Sequence, residues 1–452
     1  MNIVFIYPSR LDDNGQVIKY RRAYLPPLAL AILDSLTPEE HPVQIVNDCV
    51  EQVDYSMSPD IVGITIPTSA QATRAYQLAD HFMLKGSQVI LGGMHATVRP
   101  EEAKQHADAV VIGEAETLWE DILDDAQMIL LQPFYQAPPF PDLDRLILPN
   151  WQHLDLACYL QRPGYVYPLM PIYTTRGCPY GCEFCSVTHH FGKSYRFKPI
   201  ANVLQEIQQI SAEEYFFVDD NIMGNPDYSR ELFQALIGKN IRWFSQASTL
   251  VLKHPDLIDL AAQSGCGSLF LGIESINPQA LASVRKGFNQ IECYEELFAQ
   301  LYRAGIVPFV SLIFGFDDDT PDTFERTLQF LKRNHIMIAV MWLLTPLPGT
   351  PLFDRLEREN RILHTDWSKY DFTHMVFQPK QMAKDELVDV YWQTLRQFYS
   401  LDYTTGVNAE LAKRGVPYQQ SLFFQVYGRK QVNAHESPFS SGIERITDSE
   451  TS

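Results

Sequence analysis

Short, almost wholly apolar runs separated by helix-length stretches constrain what this chain can fold into more than any other feature, and they come in two sets. The first set covers residues 3–7, 43–47, 61–66, 88–91 and 109–112. Runs that are apolar throughout, rather than at every second residue, belong to strands buried on both faces of a parallel sheet. Helical patterns over 27–36 and 73–85 separate them, so residues 1–130 read as an open, doubly wound, Rossmann-like α/β sheet. The second set covers 172–175, 215–218, 243–247, 269–273, 309–314 and 338–344, with helices expected over 226–237, 255–264, 290–304 and 321–334. Thr320 followed by Pro321 is a helix start, an N-cap before a proline at the first helical position. Six strand–helix units over 168–355 suit a partial (β/α)6 barrel.

Parallel α/β architectures gather ligand contacts at the carboxyl ends of their strands. In the first sheet those ends carry Ser9, Thr68, Gly92-Gly93 with His95, and Gly113-Glu114 with Glu116. Glycines admit a flat ligand close to the backbone and polar side chains can bond its rim, although each loop alone is equally an ordinary tight turn. In the second set the strand ends carry Asp219-Asp220-Asn221, Gln246, Ser248 and Glu274-Ser275. Carboxylates beside buried strands are costly unless a partner or ligand meets them. The Asp317-Asp318-Asp319 run is read instead as attraction to the positive end of the helix that Pro321 begins.

The run Arg176-Gly177-Cys178-Pro179-Tyr180-Gly181-Cys182-Glu183-Phe184-Cys185 carries the chemistry. Iron–sulfur clusters normally take four thiolates, so a compact set of three leaves one iron of a 4Fe-4S cubane open to an exchangeable ligand. A zinc knuckle is the bland alternative, since His189 and His190 follow. Zinc sites of the structural kind close with four protein ligands, and an aromatic before the last cysteine suits the cluster better.

With Phe184 before its last cysteine, this run resembles the signature of the radical S-adenosylmethionine (SAM) superfamily. The resemblance implies that Cys178, Cys182 and Cys185 ligate the cluster and that Phe184 lies against the adenine of SAM. It also implies that SAM chelates the open iron and is cleaved to a 5'-deoxyadenosyl radical. By the same resemblance the Asp219 to Asn221 turn receives the methionine amino end, and Glu274 and Ser275 face SAM or substrate. The Gly-Gly-x-His and Gly-Glu-x-Glu turns resemble those of the cobalamin-binding domain that precedes many such barrels. The Asp-x-His-x-x-Gly motif of many cobalamin domains, whose histidine ligates cobalt, has no counterpart in residues 9–15, which contain no histidine. Cobalamin is therefore expected without that ligand, and His95 is kept as a contact.

The Asp-Asp-Asn turn, the Gly-Ile-Glu-Ser strand end and the Leu-Thr-Pro-Leu-Pro-Gly-Thr-Pro run further resemble the cobalamin-binding group of hopanoid C-2 methylases, bacteriochlorophyll side-chain methyltransferases and the anaerobic porphyrin cyclase. The resemblance implies an enzyme that methylates an unactivated carbon of a small molecule, lipid or tetrapyrrole. Cobalamin-assisted oxidation or cyclisation is the alternative within enzymes. RNA methylthiolation would need an auxiliary cluster, which Cys49 and Cys158 cannot supply. A non-catalytic electron carrier remains open as long as Cys158 or Cys266 could complete the cluster. No protein acid or base is obligatory for abstracting a hydrogen atom, so no general base is assigned.

Lys plus Arg number 36 against 55 for Asp plus Glu, giving a net charge of −19. That balance opposes binding to nucleic acid or an anionic membrane, and the basic stretch 193–198 is short. Seven cysteines without a pairing pattern, no basic-then-apolar leader and no membrane-spanning run predict a cytoplasmic protein. Its electron donor would be a flavodoxin or ferredoxin.

Residues 131–167, rich in proline and aromatics, read as a linker too irregular for helix or strand, with its aromatics anchoring the domains. A helical region is expected over 356–430, where Leu387, Tyr391, Leu395 and Phe398 recur at helical spacing. The polar residues of 431–452 read as a disordered tail.

Overall fold

The computed structural model describes residues 1–161, 165–413, 419–436 and 442–446. The first sheet has six parallel strands, β1 (Ile3–Tyr7), β2 (Val43–Asn47), β3 (Ile61–Thr65), β4 (Gln88–Gly92), β5 (Ala109–Ile112) and β6 (Phe134–Gln136). Their spatial order is β2-β1-β3-β4-β5-β6. The sheet winds outward in both directions from β1, so a crevice opens where the order reverses, between β1 and β3. Ile6, Val62, Val89 and Val110 are fully or almost fully buried, as both-face coverage requires.

β6 corrects the reading of 131–167 as wholly irregular. Its three residues pair with Val110, Val111 and Ile112, and the prolines around it are tolerated because it is short and lies at the sheet edge. Trp151 packs against the cores of both domains and Phe140 lies on Gly192, so aromatics of this segment do anchor the junction.

The second sheet is β7 (Met170–Ile172), β8 (Glu214–Phe217), β9 (Arg242–Ala247), β10 (Cys266–Glu274), β11 (Val307–Phe314) and β12 (Ile338–Leu343). They are parallel and lie side by side in chain order, an open six-stranded partial barrel. The register shifts between Gly272 and Glu274, where Glu274 takes a φ of 63°. Helices Pro226–Leu236, Pro255–Gln263, Tyr294–Arg303 and Pro321–Arg333 cover it, each close to its expected range. Thr320 and Thr323 form a reciprocal capping box at the last of these.

Two of the three aspartates beside it, Asp317 and Asp319, are engaged away from the helix end. Asp319 Oδ2 accepts from the backbone N–H groups of Gly315 and Phe316 at 2.8 and 3.0 Å, because the turn after β11 leaves those donors without partners. Asp317 instead pairs with Arg361 at 2.5 Å and Lys380 at 2.9 Å.

In helix Lys384–Phe398 the Leu387, Tyr391, Leu395 and Phe398 stripe joins the barrel core. Tyr391, Tyr399 and Tyr403 donate their hydroxyls to the carbonyls of Met341, Ala339 and Ile336 along and just before β12. The expected tail is ordered in part. Helix Gln419–Asn433 runs into it, and strand Gly442–Ile446 pairs antiparallel with Lys19–Ala23, an apolar anchor provided by buried Ile443. Residues 437–441 and 447–452 lie outside the described ones. Among the described residues no helix is long and apolar enough to cross a membrane.

Candidate active site

Immediately after β7 the chain enters a two-residue strand, Thr175–Arg176, that pairs antiparallel with Arg196–Phe197. This pairing closes the loop containing Cys178, Cys182 and Cys185. The three thiols line one cavity of about 220 Å³ together with Tyr180, Phe184, Asp220, Asn221, Gln246, Ser248, Phe270, Gly272, Glu274, Lys286 and Phe288. Among the described residues, no three His, Cys, Asp or Glu side chains are arranged to hold a metal ion. Thiols spread along a cavity wall fit a bulky cluster rather than a knuckle, which needs four converging ligands. None of Cys49, Cys158, Cys266 and Cys293 lines this cavity. The Cys266 thiol points instead to the Ser268 carbonyl.

Burial pushes the Cys178 thiol up to about 11 and Cys185 to about 12. Loading with iron would therefore have to displace their protons. Glu274 is held by Lys286 Nζ at 2.5 Å and by Ser311 Oγ at 3.2 Å. A Cβ on Gly272 would sit 2.5 Å from the Glu274 carboxylate and 2.7 Å from Lys286 Nζ, so a side chain there would have to displace this pair. Asn221 bridges to Ser248 through both its amide atoms.

A second cavity, of about 290 Å³, lies between the domains. Gly63 and Thr65 of β3, Gly92, Gly93, Gly113 and helix Leu28–Leu36 line one side, and Tyr173, Arg176, His190, Phe191 and Asp220 the other. At its wall His190 Nδ1 is buried with no hydrogen-bond partner, and burial lowers the imidazole pKa below its ordinary value. Largely apolar walls, glycines at the strand ends and one neutral, unsatisfied ring nitrogen fit a flat cofactor rimmed with amides.

Asp220 is common to the two cavities. Gly177 N donates to its carboxylate at 3.3 Å. Burial first, and then the neighbouring Asp219, push its carboxyl up to about 7.

Several expected contacts stand elsewhere. Asp219 accepts from the hydroxyls of Thr174 and Thr175 at 2.7 and 2.5 Å, so it braces the turn and does not line the cavity. Ser275 Oγ accepts from Asn277 N and is equally absent from the wall. Ser9 donates to the Ile18 carbonyl, and Thr68 Oγ1 lies 3.0 Å from Gln71 Oε1. His95 lies 3.0 Å from Ser69 Oγ and 3.5 Å from Glu102, with its ring against Trp367. All three serve the first domain or its seam with the C-terminal region, and none lines the cavity between the domains.

Glu114 and Glu116 do line it, but as members of an ionic knot. Arg176 bonds Glu114 at 2.5 Å and Glu116 at 2.6 Å, and Arg196 bonds Glu114 at 2.5 Å. Burial opposes ionisation of Glu116, yet Arg176 outweighs it and the carboxyl stays below its ordinary range. The sequence reading missed both arginines, together with Tyr180, Lys286 and Phe288. Arg196 lay within the basic stretch 193–198 and Arg176 at the head of the cysteine run, so their positions were visible without their partners. Nothing local marks Lys286, which reaches the cavity from the loop after the short helix Pro278–Ser283.

The family described as "Radical SAM superfamily" matches residues 172–331, and the "B12 binding domain" matches 17–123. The bacteriochlorophyllide d C-12(1)-methyltransferase of Chlorobaculum tepidum is 34% identical over 346 residues, covering 75% of each chain. The chain belongs to the cobalamin-binding radical SAM family. A third match, a domain of unknown function, covers 350–406. The hopanoid C-2 methylase of Rhodopseudomonas palustris is 27% identical over 82% of this chain and 72% of its own. Among solved structures, the radical SAM methyltransferase TsrM of Kitasatospora setae, with cobalamin and a [4Fe-4S] cluster, aligns with a TM-score of 0.60 at 17% identity, covering 79% and 78% of the two chains. As a member of this family the chain is an enzyme with a radical SAM domain and a B12-binding domain.

Proposed function

We propose that this enzyme methylates an unactivated carbon of a tetrapyrrole. The observation that carries the reading is that Asp220 forms part of the wall of both cavities, so a substrate carbon can stand between the two cofactor sites. The 34% identity to a methyltransferase of bacteriochlorophyllide d supports the substrate class.

In this reading Cys178, Cys182 and Cys185 hold the cluster. Phe184, Asn221, Gln246, Ser248 and Glu274 line the place for SAM, and Gly92, Gly93, Gly113 and His190 meet cobalamin. When bound, the cluster and SAM supply the hydrogen-abstracting radical and cobalamin supplies the methyl group. The chain's own part is to position and to exclude water. Phe184, Phe270 and Phe288 make the first cavity largely apolar, while the Arg176–Glu114 knot fixes the two cavities relative to each other, which sets the reaction distance. Asp220 can accept a hydrogen bond from a substrate N–H or O–H. An acidic flavodoxin or ferredoxin in the cytoplasm supplies the reducing electron.

The test is anaerobic reconstitution with iron, sulfide and hydroxocobalamin, then incubation with SAM, dithionite and a panel of chlorophyllides. Retained cobalamin, 5'-deoxyadenosine and a product heavier by one methyl group support the reading. Deoxyadenosine with cobalamin but no methylated pigment would refute the tetrapyrrole substrate and leave the family chemistry intact.

A further inference from the structure

Lys198 and Glu206 form an ion pair whose side chains are both fully buried, and none of the proposed chemistry uses it. A lysine is almost never buried completely unless it is paired, and taking two ions out of water is costly even then. Glu206 is incompletely satisfied, since its Oε1 has no hydrogen-bond partner. Besides Glu206, the Lys198 ammonium meets an aromatic ring. Its Nζ stands 4.2 Å from the ring centroid of Tyr173, and Arg176 Cζ stands 4.3 Å from the same centroid. Lys198 is fixed at its base as well. Its N–H donates to the Thr174 carbonyl at 2.8 Å, and Tyr228 donates its hydroxyl to the Lys198 carbonyl at 2.7 Å.

Each cation has its own carboxylate anchor, Glu206 for Lys198 and Glu114 with Glu116 for Arg176. Two anchored cations over one ring, with Ile32 and Leu143 in the same buried cluster, leave Tyr173 little freedom to turn. The residue is 6% exposed and lines the cavity between the domains. Its hydroxyl has no hydrogen-bond partner among the described residues, yet it is not closed off from the cavity. A buried tyrosine hydroxyl usually finds a partner. Burial, against the opposing pull of Arg176, pushes this phenol up to about 12, so it remains a protonated donor at neutral pH.

We propose that the Tyr173 hydroxyl donates a hydrogen bond to a peripheral amide oxygen of cobalamin, and that Lys198 is the positioning residue that aims it. An amide oxygen is the acceptor a phenol of this kind can meet, and the largely apolar walls around it leave few competing groups. The glycine turns of the first domain then meet the cofactor on one side, and Tyr173 meets it from the barrel. Tyr173 follows β7 directly and stands on the same stretch of chain as Cys178. A bond here ties the cofactor to the segment that carries the cluster loop. The proposal rests on the cobalamin reading of this cavity and adds a donor from the barrel that recognises the cofactor.

The experiment is equilibrium dialysis of the iron-reconstituted enzyme against hydroxocobalamin, for the native chain and three variants. Tyr173→Phe keeps the ring beside both cations and removes the hydroxyl alone. It should weaken cobalamin binding about three- to tenfold, with iron content and thermal midpoint unchanged. Lys198→Met combined with Glu206→Leu replaces the whole ion pair by apolar groups, which avoids stranding one charge. This variant should fold, and should weaken binding in the same direction. Added to Tyr173→Phe, the same two substitutions should weaken binding no further, because Lys198 acts only through the hydroxyl. Native affinity in Tyr173→Phe would overturn the bond to cobalamin. Losses that add in the combined variant would overturn the role given to Lys198 and make the ion pair a purely structural one. A native enzyme that binds no cobalamin would sink the cobalamin reading itself, and the proposal with it.

Discussion

Arg176 and Glu114 meet at 2.5 Å across the boundary between the domains, 62 residues apart in the chain. Glu114 is buried and Arg176 nearly so, and each also has a second partner, Glu116 for the arginine and Arg196 for the glutamate. Breaking one side of a buried pair leaves an uncompensated charge and costs about 3–5 kcal/mol. Glu114→Gln keeps the shape of the side chain and removes its charge. The expected result is a fall in thermal midpoint of several degrees, with less cobalamin retained through gel filtration. Retention and midpoint equal to those of the native chain would show that the knot does not fix the domains.

How legible this molecule was depended on the kind of signal. The strands β1 to β5 and β8 to β12 could be read because burial on both faces leaves short apolar runs bounded by turns, whereas the first barrel strand, expected over 172–175, lies at Met170–Ile172. The cysteines could be read because cluster chemistry demands fixed residue types at close spacing. Side-chain partnerships at long range could not. Glu114 and Asp219 look alike in the sequence as carboxylates at strand ends, yet one is taken by Arg176 and Arg196 and the other by Thr174 and Thr175. Their availability to a ligand depends in both cases on residues tens of positions away. β6 and strand Gly442–Ile446 were missed because three or five residues with flanking prolines or polar neighbours carry too little periodicity to stand out.

Three cysteines, and no fourth, should govern iron binding. Alanine at Cys178, Cys182 or Cys185 should reduce the bound cluster to background and abolish SAM cleavage. Cys266→Ala should keep the full iron content and deoxyadenosine formation, since that thiol faces the Ser268 carbonyl within the barrel core. Iron and acid-labile sulfide assays on the four variants decide it.

Asp319 makes stability depend on pH. Burial pushes its carboxyl from 3.8 to about 7, despite two backbone donors, and Oδ1 has no partner. A group whose pKa is raised on folding contributes its stabilisation below the unfolded value and loses it as pH rises through the folded one. The loss should therefore run from about pH 4 to pH 7 and amount to about 4 kcal/mol. Asp319→Asn cannot ionise and retains one oxygen for the Gly315 and Phe316 donors. Urea unfolding at pH 5 and pH 8 should show a smaller difference between the two pH values for the variant than for the native chain.

Gly93 has a φ of +93°, and a Cβ there would lie 2.8 Å from Ile66 N and 2.9 Å from Ile66 O. Both obstacles are backbone, which cannot rotate away. Gly93→Ala combines left-handed strain of about 1–2 kcal/mol with a clash, and it moves the end of β4 at the cavity between the domains. It should lower cobalamin affinity markedly while iron content stays native, because the cysteine loop is in the other domain. Titration with hydroxocobalamin, followed by absorbance, measures it.

Asp220→Asn tests the shared wall directly. The amide keeps an acceptor for Gly177 N and nearly the same volume, so the cluster loop should load with iron as before. What changes is an acceptor that can carry full charge at the junction of the two cavities. If Asp220 orients the substrate, SAM cleavage should continue while methylated product per 5'-deoxyadenosine falls about 10- to 100-fold, the cost of a small misplacement of the reacting carbon. If it serves SAM alone, both products should fall together and the ratio should hold. Measuring both products from one reaction separates the two cases, and a pH series adds a second check. A native coupling ratio that changes near pH 7, where Asp220 titrates, should become flat in the asparagine variant.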